Sequence, residues 1–145
     1  MFDRIKEIIN NSKKLNETQL LIFVFTDRKV KDSITDYITN IQLFKEGEDG
    51  LGNKLQEYTP FTKLLKQEKG QPFDRTTLKD TGQFYASFRV VVNNAGEVKV
   101  IANDVNDLTE KYGKNILTLS YEGIEEIKPQ IIKLSQRYIR ETLSL

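Results

Sequence analysis

Residues 84–102 constrain the fold of this chain more than any other stretch. Phe84-Tyr85-Ala86-Ser87-Phe88-Arg89-Val90-Val91-Val92 alternates in polarity. On an extended strand Phe84, Ala86, Phe88, Val90 and Val92 share one face, and Tyr85, Ser87, Arg89 and Val91 the other. Asn93-Asn94-Ala95-Gly96 is a turn, after which Val98, Val100 and Ala102 alternate with Glu97, Lys99 and Ile101. The pattern predicts an antiparallel hairpin over about 84–102.

Helical signals flank the hairpin. Phe2, Ile5, Ile8 and Ile9 stand at helical spacing and predict an amphipathic helix over about 2–14. Thr59 as N-cap, Pro60 at the first helical position, Gly70 as C-cap and Pro72 beyond it predict a helix over about 60–69. Its apolar side holds Phe61, Leu64 and Leu65, and Lys63, Lys66 and Lys69 are expected on the exposed side. Ser120 caps a last helix over about 121–142. Its stripe is Ile124, Ile127, Ile131, Leu134 and Tyr138, and Pro129 either kinks it or starts its longer second part. A short helical turn follows Asp107 and stops at Gly113.

Two segments stay open. Leu20 to Phe25 reads as a buried strand or as a turn and a half of buried helix. Ile34, Tyr37, Ile38 and Ile41 fit a helix, while the β-branched residues among them favour a strand. Residues 45–54 form a glycine-rich loop. The expectation is α+β, a single domain over 1–145, with 1–37 as a helical N-terminal extension.

What the chain lacks narrows its chemistry. It has no histidine and no cysteine, so imidazole relays, thiolate catalysis, disulfides and cysteine–histidine zinc sites are excluded. A net charge of +1 gives no global field toward nucleic acid or membrane. The longest apolar run, Leu20 to Phe25, is far short of the ~20 residues that span a bilayer. With no export signal, the default location is the cytoplasm.

The remaining motifs fail on spacing. Gly47 to Lys54 misses the phosphate-binding G-x-x-x-x-G-K-[ST] pattern by one residue and carries two carboxylates. Neither that loop nor Asn103 to Asp107 has calcium-loop spacing. Glu125 with Glu126 and Asp104 with Asp107 are paired carboxylates that nothing places in a cleft. No catalytic residue, cofactor or metal is expected, and the chain does not read as an enzyme. Segment 60–79 holds five basic residues, Lys63, Lys66, Lys69, Arg75 and Lys79, against Glu68 and Asp74. It is the one local bias that suits phosphate. The plain alternative is a solvated helix face, and a third is contact with an acidic subunit.

One long run is more specific. It comprises Asn40, Gln42-Leu43, Gly47, Gly52, Leu55, Tyr58, Thr62, Lys66, Gly70-Gln71-Pro72, Arg75 and Thr77 through Phe88. It resembles a family of small virion proteins of tailed bacteriophages and prophages of Bacteroidetes. Asp80-Thr81-Gly82-Gln83-Phe84-Tyr85-Ala86-Ser87 is similar to the D-T-G-x-[LF]-x-x-S hallmark of tail-completion and virion-morphogenesis proteins. Leu108 to Ile116, followed by a capped helix, extends the resemblance, which spans roughly 38–142.

The resemblance implies a structural protein of the head–tail connector, neck or upper tail. Such a protein forms a ring homo-oligomer, touches portal, adaptor or tail proteins, and surrounds the DNA exit path. It is made in the cytoplasm of the bacterial host, resides in the virion and does not enter a membrane. Loop 45–58 and segment 70–83 are polar and turn-rich, which suits subunit contact. Tyr58, Thr62, Gln71, Arg75, Asp80, Thr81, Gly82, Tyr85, Ser87 and Arg89 are the expected contact residues. In the alternative, a nucleic-acid-binding accessory protein, Lys63, Lys66, Lys69 and Lys79 touch DNA.

Overall fold

The computed structural model describes residues 2–145. In chain order it has α1 (Phe2–Ser12), α2 (Glu17–Phe25), α3 (Arg28–Asp36) and a π-helical continuation, Tyr37–Lys45. Then come α4 (Pro60–Glu68), the single turn α5 (Gln83–Ala86), β1 (Arg89–Val92) and β2 (Val98–Ile101). The chain ends with α6 (Leu108–Tyr112), a 3-10 turn at Lys114–Leu117 and α7 (Tyr121–Leu143). The fold is α+β, with helices at both ends.

The hairpin forms about the expected turn but is shorter. β1 and β2 are antiparallel, with Val90 opposite Val100 and Val92 opposite Val98. Gly96 sits at φ +79°, and the Asn93 side-chain oxygen accepts the N–H groups of Ala95 and Glu97. A Cβ on Gly96 would lie 3.3 Å from Thr18 Cα, so the turn rests directly on α2.

Residues 84–88 are not strand. Gly82, at φ +91°, opens a helical turn, and the Ala86 N–H donates to the Gly82 carbonyl at 3.0 Å. That turn sets Phe84 and Phe88 four residues apart and edge to face, with ring centroids 5.0 Å apart. Alternation with three aromatic residues over 84–88 does not outweigh a left-handed glycine followed by a good aromatic contact.

Both open segments are helical. Asn16 caps α2 by accepting from the Gln19 N–H, and Glu17 occupies the first turn, where the helix dipole favours it. Phe23 of α2 packs on Tyr138 of α7 at 5.3 Å. In α3 and its continuation, the Thr39 hydroxyl donates to the Thr35 carbonyl, which satisfies a polar group inside the core. The wider π turn brings Ile38 and Leu43, five residues apart and both fully buried, into the core together.

The core lies between α3, the hairpin, the 3-10 turn and α7. Val30, Ile34, Ile38, Leu43, Phe88, Val90, Ile116 and Ile127 form its centre. Gln42 is buried there and fully paired: its amide donates to the Thr118 carbonyl at 2.9 Å and accepts the Ser120 N–H at 2.7 Å. That pair fixes the start of α7, where the Ser120 hydroxyl accepts the Gly123 N–H. α7 runs unbroken through Pro129. Its buried side begins at Gly123 and Ile127, and Ile124, expected on the stripe, is half exposed.

Candidate functional site

The expected contact and DNA residues mostly meet around residues 76–80, and the reason is local. Thr76 and Thr77 are buried, and Leu78 is held at φ +59°, a left-handed conformation that an L side chain adopts only under constraint. The constraint is Tyr58. Its hydroxyl oxygen accepts the N–H of Thr77 at 3.0 Å and of Leu78 at 3.2 Å. From the other side the Tyr85 hydroxyl donates to the Thr77 carbonyl. Burial pushes the Tyr85 phenol up from its ordinary value, so it remains a donor at all moderate pH. Two tyrosines, one from the loop before α4 and one from α5, thus clamp a single buried turn.

The basic residues belong to the same construction. Lys66 lies 5.3 Å above the Tyr58 ring and donates to the Lys79 carbonyl at 2.6 Å. Lys79 stands over the Phe44 and Tyr85 rings at 5.1 and 5.7 Å. Arg75 donates to the Phe44 carbonyl at 2.7 Å and pairs with Asp74. Lys63 faces Glu57 at 3.5 Å, and Lys69 pairs with Asp80 at 3.0 Å. The Lys69 ammonium and the Gln71 amide hold the Asp80 carboxyl below its usual range.

The other expected residues are partly used within the chain. The Thr62 N–H is capped by the Thr59 hydroxyl, and the Thr81 hydroxyl accepts the Gln83 N–H. Ser87 bonds Phe84 and receives the Asn103 N–H, which ties the base of the hairpin. Arg89 donates to the Ala86 and Phe88 carbonyls. Asp80, Thr81 and Gly82 border a small hollow of about 240 Å³ together with Phe84 and Asn106.

This network corrects the expected orientation of α4. The lysine side of that helix faces the body, and Lys66 is only 9 % exposed. The apolar side faces out: Phe61 is 70 %, Leu64 61 % and Leu65 41 % exposed. The Tyr58 ring face, the Lys79 carbonyl and the Asp80 carboxylate are taken up by Lys66 and Lys69, so the helix docks with its polar side. What remains free is a helical stripe of three large apolar side chains, with Glu68 one turn further along the same face. Nothing in the spacing of α4 distinguishes this arrangement from the ordinary one. The signal lies in Tyr58, Thr77 and Asp80, outside the helix.

Two of the candidate carboxylates, Asp49 and Asp104, have structural roles. Asp49 accepts the N–H groups of Leu51 and Asn53 and shapes its own loop. Asp104 caps α6, accepting from the Leu108 N–H at 2.6 Å and from the Thr109 N–H and hydroxyl at 2.8 and 2.6 Å. Burial works to raise the Asp104 carboxyl, and these bonds outweigh it and hold the group below its usual range.

No protein-family model matches the chain, and searches of curated proteins and of solved structures find no match. No helix among the described residues is long and apolar enough to cross a membrane. The arrangement offers a hydrogen-bonded platform with an apolar helix face on it, which suits docking.

Proposed function

We propose that this chain is a structural subunit of a larger assembly, and specifically a virion protein of the phage head–tail connector or upper tail. The observation that carries the assembly reading is the outward apolar stripe of α4. Burying a Leu or Phe side chain gains about 1.5–3 kcal/mol, so leaving Phe61, Leu64 and Leu65 in water forgoes a gain that a partner can recover. The tyrosine clamp supports the same reading, because it stiffens the platform that presents the helix. The long sequence run from Asn40 to Phe88 adds the resemblance to virion proteins. It spans the clamp and the helix together.

The alternative of nucleic-acid binding through segment 60–79 draws less support. Lys66 is buried, and Lys63, Lys69 and Arg75 have carboxylate partners. The test is the composition of purified phage particles from the bacterium that carries this gene. Labelled imaging is expected to find several copies at the joint between head and tail. Particles of normal composition that lack the protein refute the reading.

A further inference from the structure

The chain also carries a place for α4 to dock. An open cleft of about 580 Å³ lies between the hairpin, α2 and the start of α7, lined mainly by apolar side chains that include Phe25, Val98, Val100, Leu117 and Ile124. It shares no residue with α4 or with the tyrosine clamp. Its volume falls within the ~300–1,000 Å³ of ordinary binding grooves.

Charge favours the match. The charged residues lining the cleft are Lys99 and Lys114, both exposed, and neither has a carboxylate partner among the described residues. The outward face of α4 ends in Glu68, which is exposed and has no cationic partner among the described residues. The helix therefore brings three apolar anchors and one free anion, and the cleft brings apolar walls and two free cations. Helix-in-groove recognition uses this geometry, with anchors at i, i+3 and i+4. In this chain those are Phe61, Leu64 and Leu65.

We infer that α4 of one copy inserts its Phe61, Leu64 and Leu65 face into the cleft beside Lys99 and Lys114 of the next copy. The occupant is a second copy of this chain. The two surfaces differ, so the contact is head to tail, and it builds a ring or an open filament rather than a closed pair. The inference rests on the assembly reading and names the partner of its docking face.

Mixing two variants of the full chain tests this. Leu64→Glu disables the helix face and leaves the cleft intact. Ile124→Glu, at a half-exposed position in the first turn of α7, disables the cleft and leaves the helix intact. Light scattering follows mass from roughly 1 μM to 1 mM, and circular dichroism checks that each variant is folded. Wild type is expected to grow beyond a dimer. Each variant alone should need at least roughly tenfold higher concentration to associate. The equimolar mixture should form a one-to-one heterodimer, since one helix and one cleft remain intact. Wild type that stays monomeric throughout overturns the inference, while the particle composition still decides the broader reading. Variants that associate like wild type, or a mixture of folded variants that stays monomeric, overturn it equally.

Discussion

Tyr58→Phe removes one oxygen and leaves the ring under Lys66 in place. That oxygen accepts the Thr77 and Leu78 N–H groups at 3.0 and 3.2 Å, and Thr77 is fully buried. Leaving a buried donor without a partner costs about 1–3 kcal/mol, so two donors sharing one lost acceptor cost roughly 2–4 kcal/mol. Leu78 at φ +59° loses its anchor as well, which puts the loss toward the upper end. A domain of this size has about 5–15 kcal/mol in total, so the variant should unfold at clearly lower denaturant. Urea titration by circular dichroism measures the shift at unchanged slope. A midpoint within about 0.5 kcal/mol of wild type would show that the tyrosine clamp does not hold the turn.

Three further outcomes follow from contacts in the fold. Lys66→Met keeps the bulk but loses the bond to the Lys79 carbonyl and the cation over Tyr58, and should cost about 1–3 kcal/mol in the same titration. A solvated lysine would cost nothing. Gly50→Ala sets a Cβ 2.2 Å from the Thr118 carbonyl oxygen, a backbone atom. It should destabilise by more than Gly52→Ala, which meets only the strain of φ +81° in open space, by about 1 kcal/mol or more. Asp104→Asn should weaken α6 at neutral pH. The Asp104 carboxyl is held low in the folded chain, so its contribution is present above the unfolded value of ~3.9 and is lost as pH falls through the lower folded value. The stability gap between wild type and variant should therefore close below about pH 4, and a gap constant with pH contradicts the cap.

The sequence was most legible where local chemistry decides the structure. Thr59 with Pro60, Ser120, and Asn93 with Gly96 each mark a boundary through a hydrogen bond or a backbone angle that few residue types supply, and all stand where expected. Legibility failed where a distant partner decides. Alternation over 84–88 predicted strand, but Gly82 and the Phe84–Phe88 contact formed a helical turn. The spacing of α4 marks its stripe but not the side it faces, because Lys66 is turned inward by partners outside the helix, the Tyr58 ring and the Lys79 carbonyl. The caps of α2 lie outside its apolar run, so the run alone left helix and strand undecided. The expected contact residues share one sequence run, and the fold brings many of them together. Their side chains largely hold the platform, and the face it presents consists of residues not among them.

The central claim is that a partner covers the outward face of α4, and the composition offers a clean probe. The chain has no tryptophan, so Phe61→Trp installs a single reporter on a side chain that is 70 % exposed. Its emission, followed in the full chain as concentration rises, reads the polarity around that one position. A shift to shorter wavelength that tracks the growth in mass is the expected result. Growth in mass with emission fixed at the solvent-exposed wavelength would show that the chain assembles through some other surface, and would contradict the account.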